Sequence, residues 1–258
     1  MRINKLAMTV LTGLLAASPF ANAHASEAWE WAITPYLWLP SVTLDADTHV
    51  PPGGVSNDTS FPNILDALQG GFLFHVEGQG DQFGMLGDVM YISLGKTHEF
   101  TNFTTDTNLD ASIWELAGVW NVEPERYDGL EVIAGLRYFD VGLDMTFDPV
   151  NPAYSTVKVD AGKSYSDFML GLRYIGNFDG KWGYILRADG SWGGTEGTTN
   201  LAGNVTYKTD SGAWAFGYRY LTTTLKADNK LANANPGDNL DVDITLSGPI
   251  FSYTWFIK

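Results

Sequence analysis

Several stretches of the chain alternate strictly between large apolar and small or charged residues. In Trp182-Gly183-Tyr184-Ile185-Leu186-Arg187-Ala188-Asp189 the even positions are apolar, while Arg187 and Asp189 share the odd face. Phe168-Met169-Leu170-Gly171-Leu172-Arg173-Tyr174 repeats the design, as do Trp214 to Tyr220 and Leu130 to Tyr138. A period of two places successive side chains on opposite faces of a strand. Strands are predicted at 29–39, 71–79, 82–94, 107–121, 129–146, 163–176, 181–192, 197–208, 212–225 and 240–257. Phe251, Tyr253, Trp255 and Ile257 fall on the face opposite to Val242, Ile244 and Leu246, which predicts a bulge near Gly248-Pro249.

The connections alternate too. Long ones fall at about 40–70, 95–106, 147–162 and 226–239. Short ones fall at Gly80-Asp81, Val122 to Asp128, Asn177 to Lys181 and Thr209 to Gly212. Only Gly193 to Glu196 is short where a long one is due. A soluble sandwich has no reason to sort its loops by parity. A membrane barrel does, with short turns at one rim and longer loops at the other. The fold read from this pattern is all-β: an antiparallel transmembrane β-barrel of about ten strands, with eight or twelve as alternatives. Its apolar face meets lipid, and its Gly, Arg and Asp face the lumen.

Composition sharpens this picture. The 258 residues are 45% hydrophobic and 14% aromatic, but only 17% charged, which is sparse for a soluble surface. The net charge of −15 argues against nucleic acid, whose phosphates need clustered Lys and Arg. Without cysteine there are no disulfides, thiolate metal sites, cysteine nucleophiles or lipid-anchored Cys. Arg2 and Lys5 precede an apolar run from Leu6 to Phe20, and Ala21-Asn22-Ala23 supplies a small-x-small cleavage pattern. Residues 1–23 are therefore expected to be a signal peptide and 24–258 an exported barrel domain.

Three segments share one motif: Gly135-Leu-Arg-Tyr-Phe139, Gly171-Leu-Arg-Tyr-Ile175 and Gly217-Tyr-Arg-Tyr-Leu221. Together with Trp31-Ala-Ile-Thr-Pro-Tyr-Leu-Trp-Leu-Pro40 and Ser247-Gly-Pro-Ile-Phe251, these resemble proteobacterial outer-membrane β-barrel proteins, similar in kind to the small OmpA- and OmpW-type barrels. The resemblance implies a Gram-negative outer-membrane location and a porin-like fold. It also implies contact with outer-membrane lipid, lipopolysaccharide and the barrel-assembly machinery. Such chains commonly end on an aromatic residue, whereas this one ends Trp255-Phe256-Ile257-Lys258.

The inward face collects Glu77, Asp88, Glu115, Glu131, Arg137, Arg173, Arg187, Asp189 and Arg219. These charges read either as a packed ionic plug or as the lining of a narrow pore with acids and arginines on opposite walls. Unpaired charge in a narrow lumen is costly, so pairing is expected. Aromatic girdles are assigned to Trp29, Trp31, Trp114, Trp120, Tyr138, Tyr174, Trp182, Trp192, Trp214, Tyr220 and Trp255. Gly171, on the lumen face, is expected to accept serine far better than Leu172 or Phe216 accepts arginine.

Catalysis finds little support. Asp45 and Asp47-Thr48-His49 lie in a polar loop without a second acidic pair at the matching rim, where only His98 and Glu99 stand. His75 with Ser93 and Ser112 on neighbouring strands is the one hydrolase-like set, and no spacing binds its members together. Loop acids such as Asp58, Asp106, Asp110, Asp144, Asp148, Asp238, Asp241 and Asp243 match no metal-loop spacing. Phe61-Pro-Asn-Ile-Leu-Asp-Ala-Leu68 reads as a turn of helix packing on the barrel edge, with a short helix capping the mouth or a rim contact for greasy ligands as the alternative. The expected function is a non-enzymatic outer-membrane barrel, either structural or a narrow passage for small or hydrophobic solutes, without metal or cofactor. A surface hydrolase and a loop-borne adhesin or receptor are the competing readings.

Overall fold

A computed structural model describes residues 29–47, 68–101, 103–151, 155–228 and 239–257. The expected signal peptide (1–23), His49, Asp58, residues 61–67 and Asp238 lie outside this set. Eleven strands form one antiparallel sheet: β1 (Glu30–Trp38), β2 (Ser41–Asp47), β3 (Leu68–Gln79), β4 (Phe83–Glu99), β5 (Phe103–Asn121), β6 (Gly129–Pro149), β7 (Val157–Asp179), β8 (Trp182–Gly193), β9 (Gly197–Lys208), β10 (Gly212–Asp228) and β11 (Asn239–Ile257). Each strand from β3 to β11 pairs with the next, β1 pairs with β3, and β1 also pairs with β11. That last pairing closes the barrel with ten staves, which removes the open edges a flat sheet would expose.

The eleventh strand is a continuation of the first stave. β1 pairs with β11 as far as Trp38↔Ile250, and β2 resumes the same ladder from Ser41↔Ser247. Between them Leu39-Pro40 faces Gly248-Pro249, and only Leu39 N to Pro249 O (3.1 Å) bridges the gap. Neither proline can donate to a ladder. The bulge expected near Gly248-Pro249 is absent, because β10 and β11 keep one register from Gly212↔Trp255 to Asp228↔Asn239. The irregularity sits in the partner stave. Ile244 and Leu246 pack inside the barrel, so no change of face is needed.

Four hairpin arms run further than the apolar pattern predicts. β4 extends to Glu99 and β5 starts at Phe103; β6 extends to Pro149 and β7 starts at Val157. The long connections at 95–106 and 147–162 therefore shrink to a few residues each. The arms of β4 and β5 are largely polar on both faces, so periodicity does not mark them. By contrast, Val157, Val159 and Ala161 at the start of β7 alternate with Lys158, Asp160 and Gly162 inside a stretch expected to be a connection. Groups facing one another across each hairpin pair. Thr97 Oγ1 donates to Asp106 (2.6 Å) and Thr156 Oγ1 to Asp148 (2.6 Å). The asymmetry between the two rims is one of strand height more than of loop length. Likewise β3 starts at Leu68, inside the segment read as a helix.

The repeated glycines have a steric cause. A Cβ on Gly135 would strike the Leu116 carbonyl and Ala117; on Gly171 it would strike Asp189 and the Ala188 carbonyl; on Gly217 it would strike the Gly203 carbonyl and Asn204. In each case the neighbouring strand crosses against the inward face. Gly171→Ser is therefore not the mild change that its lumen position suggested.

The outer surface is apolar. Leu136, Leu172, Leu186 and Phe216 are all more than half exposed. Leu172→Arg should impair assembly by about 2–4 kcal/mol, the cost of charge near the middle of a membrane. Ala202→Ser, on the inner wall, should cost much less. Urea titrations in lipid vesicles, read by the heat-dependent gel shift of a closed barrel, measure both. Equal tolerance would mean the faces are reversed.

Candidate functional site: the ionic lumen and its cavity

The nine charged residues read from sequence all point inward, and the structure joins them into two clusters. At the end carrying the short turns, Arg173 of β7 grips Glu77 of β3 with both Nη atoms, Nη1 to Oε2 being 2.8 Å, while its Nε bonds Glu131 of β6. Gln79 donates to Glu77 (2.6 Å) and Glu131 (2.8 Å). His75 sits between Glu77 Oε2 (3.1 Å from Nε2) and Asp88 Oδ2 (3.2 Å from Nδ1), and Tyr36 Oη donates to Asp88 Oδ1 (2.7 Å). Only the doubly protonated imidazole ring can donate both bonds at once.

Midway along the barrel, Arg137 of β6 is fully enclosed. It donates Nε (2.9 Å) and Nη2 (2.7 Å) to Glu115 Oε1, and Nη2 also reaches Asp189. Arg187 closes the ring from the other side, with Nε on Asp189 Oδ2 (2.7 Å) and Nη2 on Glu115 Oε2 (2.8 Å). Asn200 donates to Asp189 (2.7 Å) and accepts from Arg219 Nε (2.8 Å). Arg219 is the least satisfied member. Its Nη2 is buried without a hydrogen-bond partner, 3.7 Å from Glu115 Oε1, and its guanidinium lies 4.9 Å from the Trp38 ring centre.

Beyond this network the interior turns apolar. Trp38, Leu73, Met90, Ile113, Phe139, Tyr165, Leu221 and Leu225 form a buried layer, with Tyr36, Ile244, Leu246 and Ile250 against it. The sequence reading assigned the lumen to charges and missed this layer. Asp167 on β7 also escaped notice, buried and held by Ser191 (3.0 Å) and Thr195 Oγ1 (2.6 Å) and N (2.9 Å). Its position, six residues before Arg173 on the same face, was the available signal.

Towards the short-turn rim the network leaves a cavity of about 410 Å³. Small residues of β9, β10, β11 and β1, among them Ala32, Ala202, Ala213 and Ala215, make its bare wall. Five cations (Arg126, Arg173, Arg187, Lys208, Arg219) and three carboxylates (Glu30, Glu77, Asp88) border it, besides His75. Tyr127, from the turn between β5 and β6, caps the mouth in a left-handed conformation (φ 51°). Its N–H donates to Gln79 (2.9 Å), its hydroxyl to the Glu30 carbonyl (2.9 Å), and its ring meets Phe256 edge-on. Burial raises the pKa of that hydroxyl well above the usual phenol range, with Glu77 adding to the effect, so it remains a donor.

The eleven girdle aromatics are all exposed. Trp29, Trp31, Trp120, Tyr174, Trp182, Trp214 and Trp255 lie towards the short-turn rim, and Trp114, Tyr138, Trp192 and Tyr220 towards the other. Trp182 and Trp192 stand at the two ends of β8. At the usual strand rise and a tilt of roughly 40° they are about 25 Å apart along the barrel axis, the height of an outer-membrane apolar band.

The hydrolase-like set is not assembled. Ser112 accepts from Trp114 Nε1 (3.2 Å) on the outer face, and Ser93 shares that face with Tyr91, whereas His75 points inward. Asp45 and Asp47 pair in register with Asp243 and Asp241. Several other acids near the rim accept from neighbouring hydroxyls, Asp110 from Tyr91 (3.0 Å) and Asp243 from Thr224 (2.5 Å). Among the described residues, no group of three or more His, Asp or Glu is placed to hold a metal ion.

No protein-family model and no curated protein sequence matches the chain. Solved structures do. The outer membrane protease OmpT of Escherichia coli matches with a TM-score of 0.54 at 9% identity, over 92% of this chain and 99% of that one. The attachment invasion locus protein Ail of Yersinia pestis matches with a TM-score of 0.36 at 9% identity, over 88% and 99%. The toluene transporter TodX of Pseudomonas putida matches with a TM-score of 0.31 at 9% identity, over 90% of each chain. The likeness to OmpT is one of fold: this chain has the architecture of an outer-membrane β-barrel.

Proposed function

We propose that the chain is a non-enzymatic outer-membrane barrel whose lumen is sealed, a structural protein of the membrane and not a general porin. One observation carries the reading. Across the middle of the barrel the guanidinium of Arg137, with no exposed surface, is tied to Glu115 and Asp189, and the apolar layer around Trp38 lies directly beyond it. Ions would have to break several charge-assisted bonds and then cross a dry section, each step costing several kcal/mol. In this reading the short turns face the periplasm, as in other outer-membrane barrels. The apolar band and its aromatic rows meet outer-membrane lipid and lipopolysaccharide. The export signal and barrel-assembly machinery deliver the chain there, and the cavity faces the periplasm.

Planar-bilayer recording of the refolded full chain tests this. The baseline is expected to stay flat at moderate voltage in both polarities. Steady, large channels would overturn the sealed reading in favour of the narrow passage.

A further inference from the structure

We infer that the cavity is a binding site for a small organic anion, a monocarboxylate with a short apolar body, held by Arg219 and Arg187 at its closed end. The inference extends the sealed-barrel reading by giving the blind chamber an occupant.

Three observations meet here. The chamber, at about 410 Å³, is within the range of small-molecule pockets. It reaches the short-turn rim, where Asn177 and Lys208 on its border are exposed, so a solute can enter from that side. Second, the carboxylates in its interior are already committed. Glu77 is held by Arg173, His75 and Gln79, and Asp88 by His75 and Tyr36.

Third, unspent donors converge at the closed end. Arg219, 6% exposed, has one hydrogen bond, from Nε to Asn200; its buried Nη2 is turned to Glu115 Oε1 at 3.7 Å, and no described residue accepts from its Nη1. Arg187 spends Nε and Nη2 on Asp189 and Glu115, and no described residue accepts from its Nη1. Both arginines reach towards Glu115 and both border the chamber. A guanidinium donor without a protein acceptor gains a hydrogen bond when a ligand supplies one. A carboxylate matches the planar fork of a guanidinium. On the facing wall Ala32, Ala202, Ala213, Ala215 and Ile250 leave room for a short alkyl chain, between the small polar side chains of Thr34, Asn204, Thr206, Ser252 and Thr254.

The test titrates ¹³C-carboxyl hexanoate into the refolded full chain in detergent micelles, reading the carboxyl line, with hexanamide as the uncharged control. Hexanoate is expected to bind saturably and hexanamide at least tenfold more weakly. Arg219→Gln should weaken hexanoate at least tenfold. Ala215→Leu, which fills the chamber and leaves both guanidiniums intact, should do the same, so the outcome does not depend on one variant folding. Lys181→Ala, in an exposed turn, should bind like wild type. Heat-dependent gel mobility confirms that each variant is closed. Equal binding of hexanamide, or undiminished binding by either folded variant, overturns the site. That failure leaves a silent bilayer recording untouched, whereas channels in the wild-type recording would count against the sealed barrel whatever hexanoate does.

Discussion

Arg137→Ala is expected to cost the barrel about 3–5 kcal/mol, the usual consequence of removing one partner from a buried ionic cluster. The guanidinium is fully enclosed and holds Glu115 and Asp189 together. Truncating it leaves Asp189 with Arg187 and Asn200, and Glu115 with Arg187 and the distant Nη2 of Arg219. Four donor groups then serve a site built for more, in a section without ready access to bulk water. Adding Asp189→Asn should recover part of the loss, since it removes the carboxylate that the first change orphans. Arg126→Ala is the contrast. Its bond to Asp81 (2.6 Å) joins two short turns with both side chains partly exposed, where such pairs contribute about 1 kcal/mol or less. Urea midpoints of the refolded variants in vesicles rank the three. A small loss for Arg137→Ala would show that the network is not what holds the staves in place.

How far the sequence led follows from where its two faces differ in polarity. Wherever an apolar outer face alternated with a small or charged inner one, as in β8 through β10, strand spans could be read to within a few residues. Parity then put Arg137, Arg173, Arg187 and Arg219 on one side of the wall. The signal fails when both faces are alike. The polar arms around Thr97 carry no period and read as loops. The opposite case is Phe72-Leu73-Phe74, apolar on both faces, where Phe72 is exposed and Leu73 belongs to the inner layer. The same ambiguity hid Met90, Ile113 and Phe139, so the lumen looked wholly ionic. Tyr127 was beyond reach for another reason: its place depends on one left-handed turn residue folding back over the mouth. Partners within the network, such as Tyr36 on Asp88, needed the register between β1, β3 and β4 before they could be matched.

That hidden layer supports the expectation with the largest functional effect. Trp38→Ala should turn a silent barrel into a leaky one. Trp38 is 2% exposed and packs with Leu73, Met90, Ile113, Phe139, Tyr165, Leu221 and Leu225, while Arg219 lies over its ring on the cavity side. The indole therefore lies between Arg219, which borders the chamber, and the rest of the apolar layer. Removing it costs about 3–5 kcal/mol as a core truncation and leaves a void next to a charged, wettable space. Water entering that void would solvate Arg219 and weaken its hold on Asn200 and Glu115. The chamber would then extend past the network. Trp38→Ala is expected to give small, flickering conductance steps and a lowered urea midpoint. Trp38→Phe, which keeps most of the volume, should remain silent, and Phe216→Ala on the lipid face should leave conduction unchanged. Silence in Trp38→Ala at full insertion would mean that the ionic network alone closes the barrel, and the apolar layer would then be a matter of stability only.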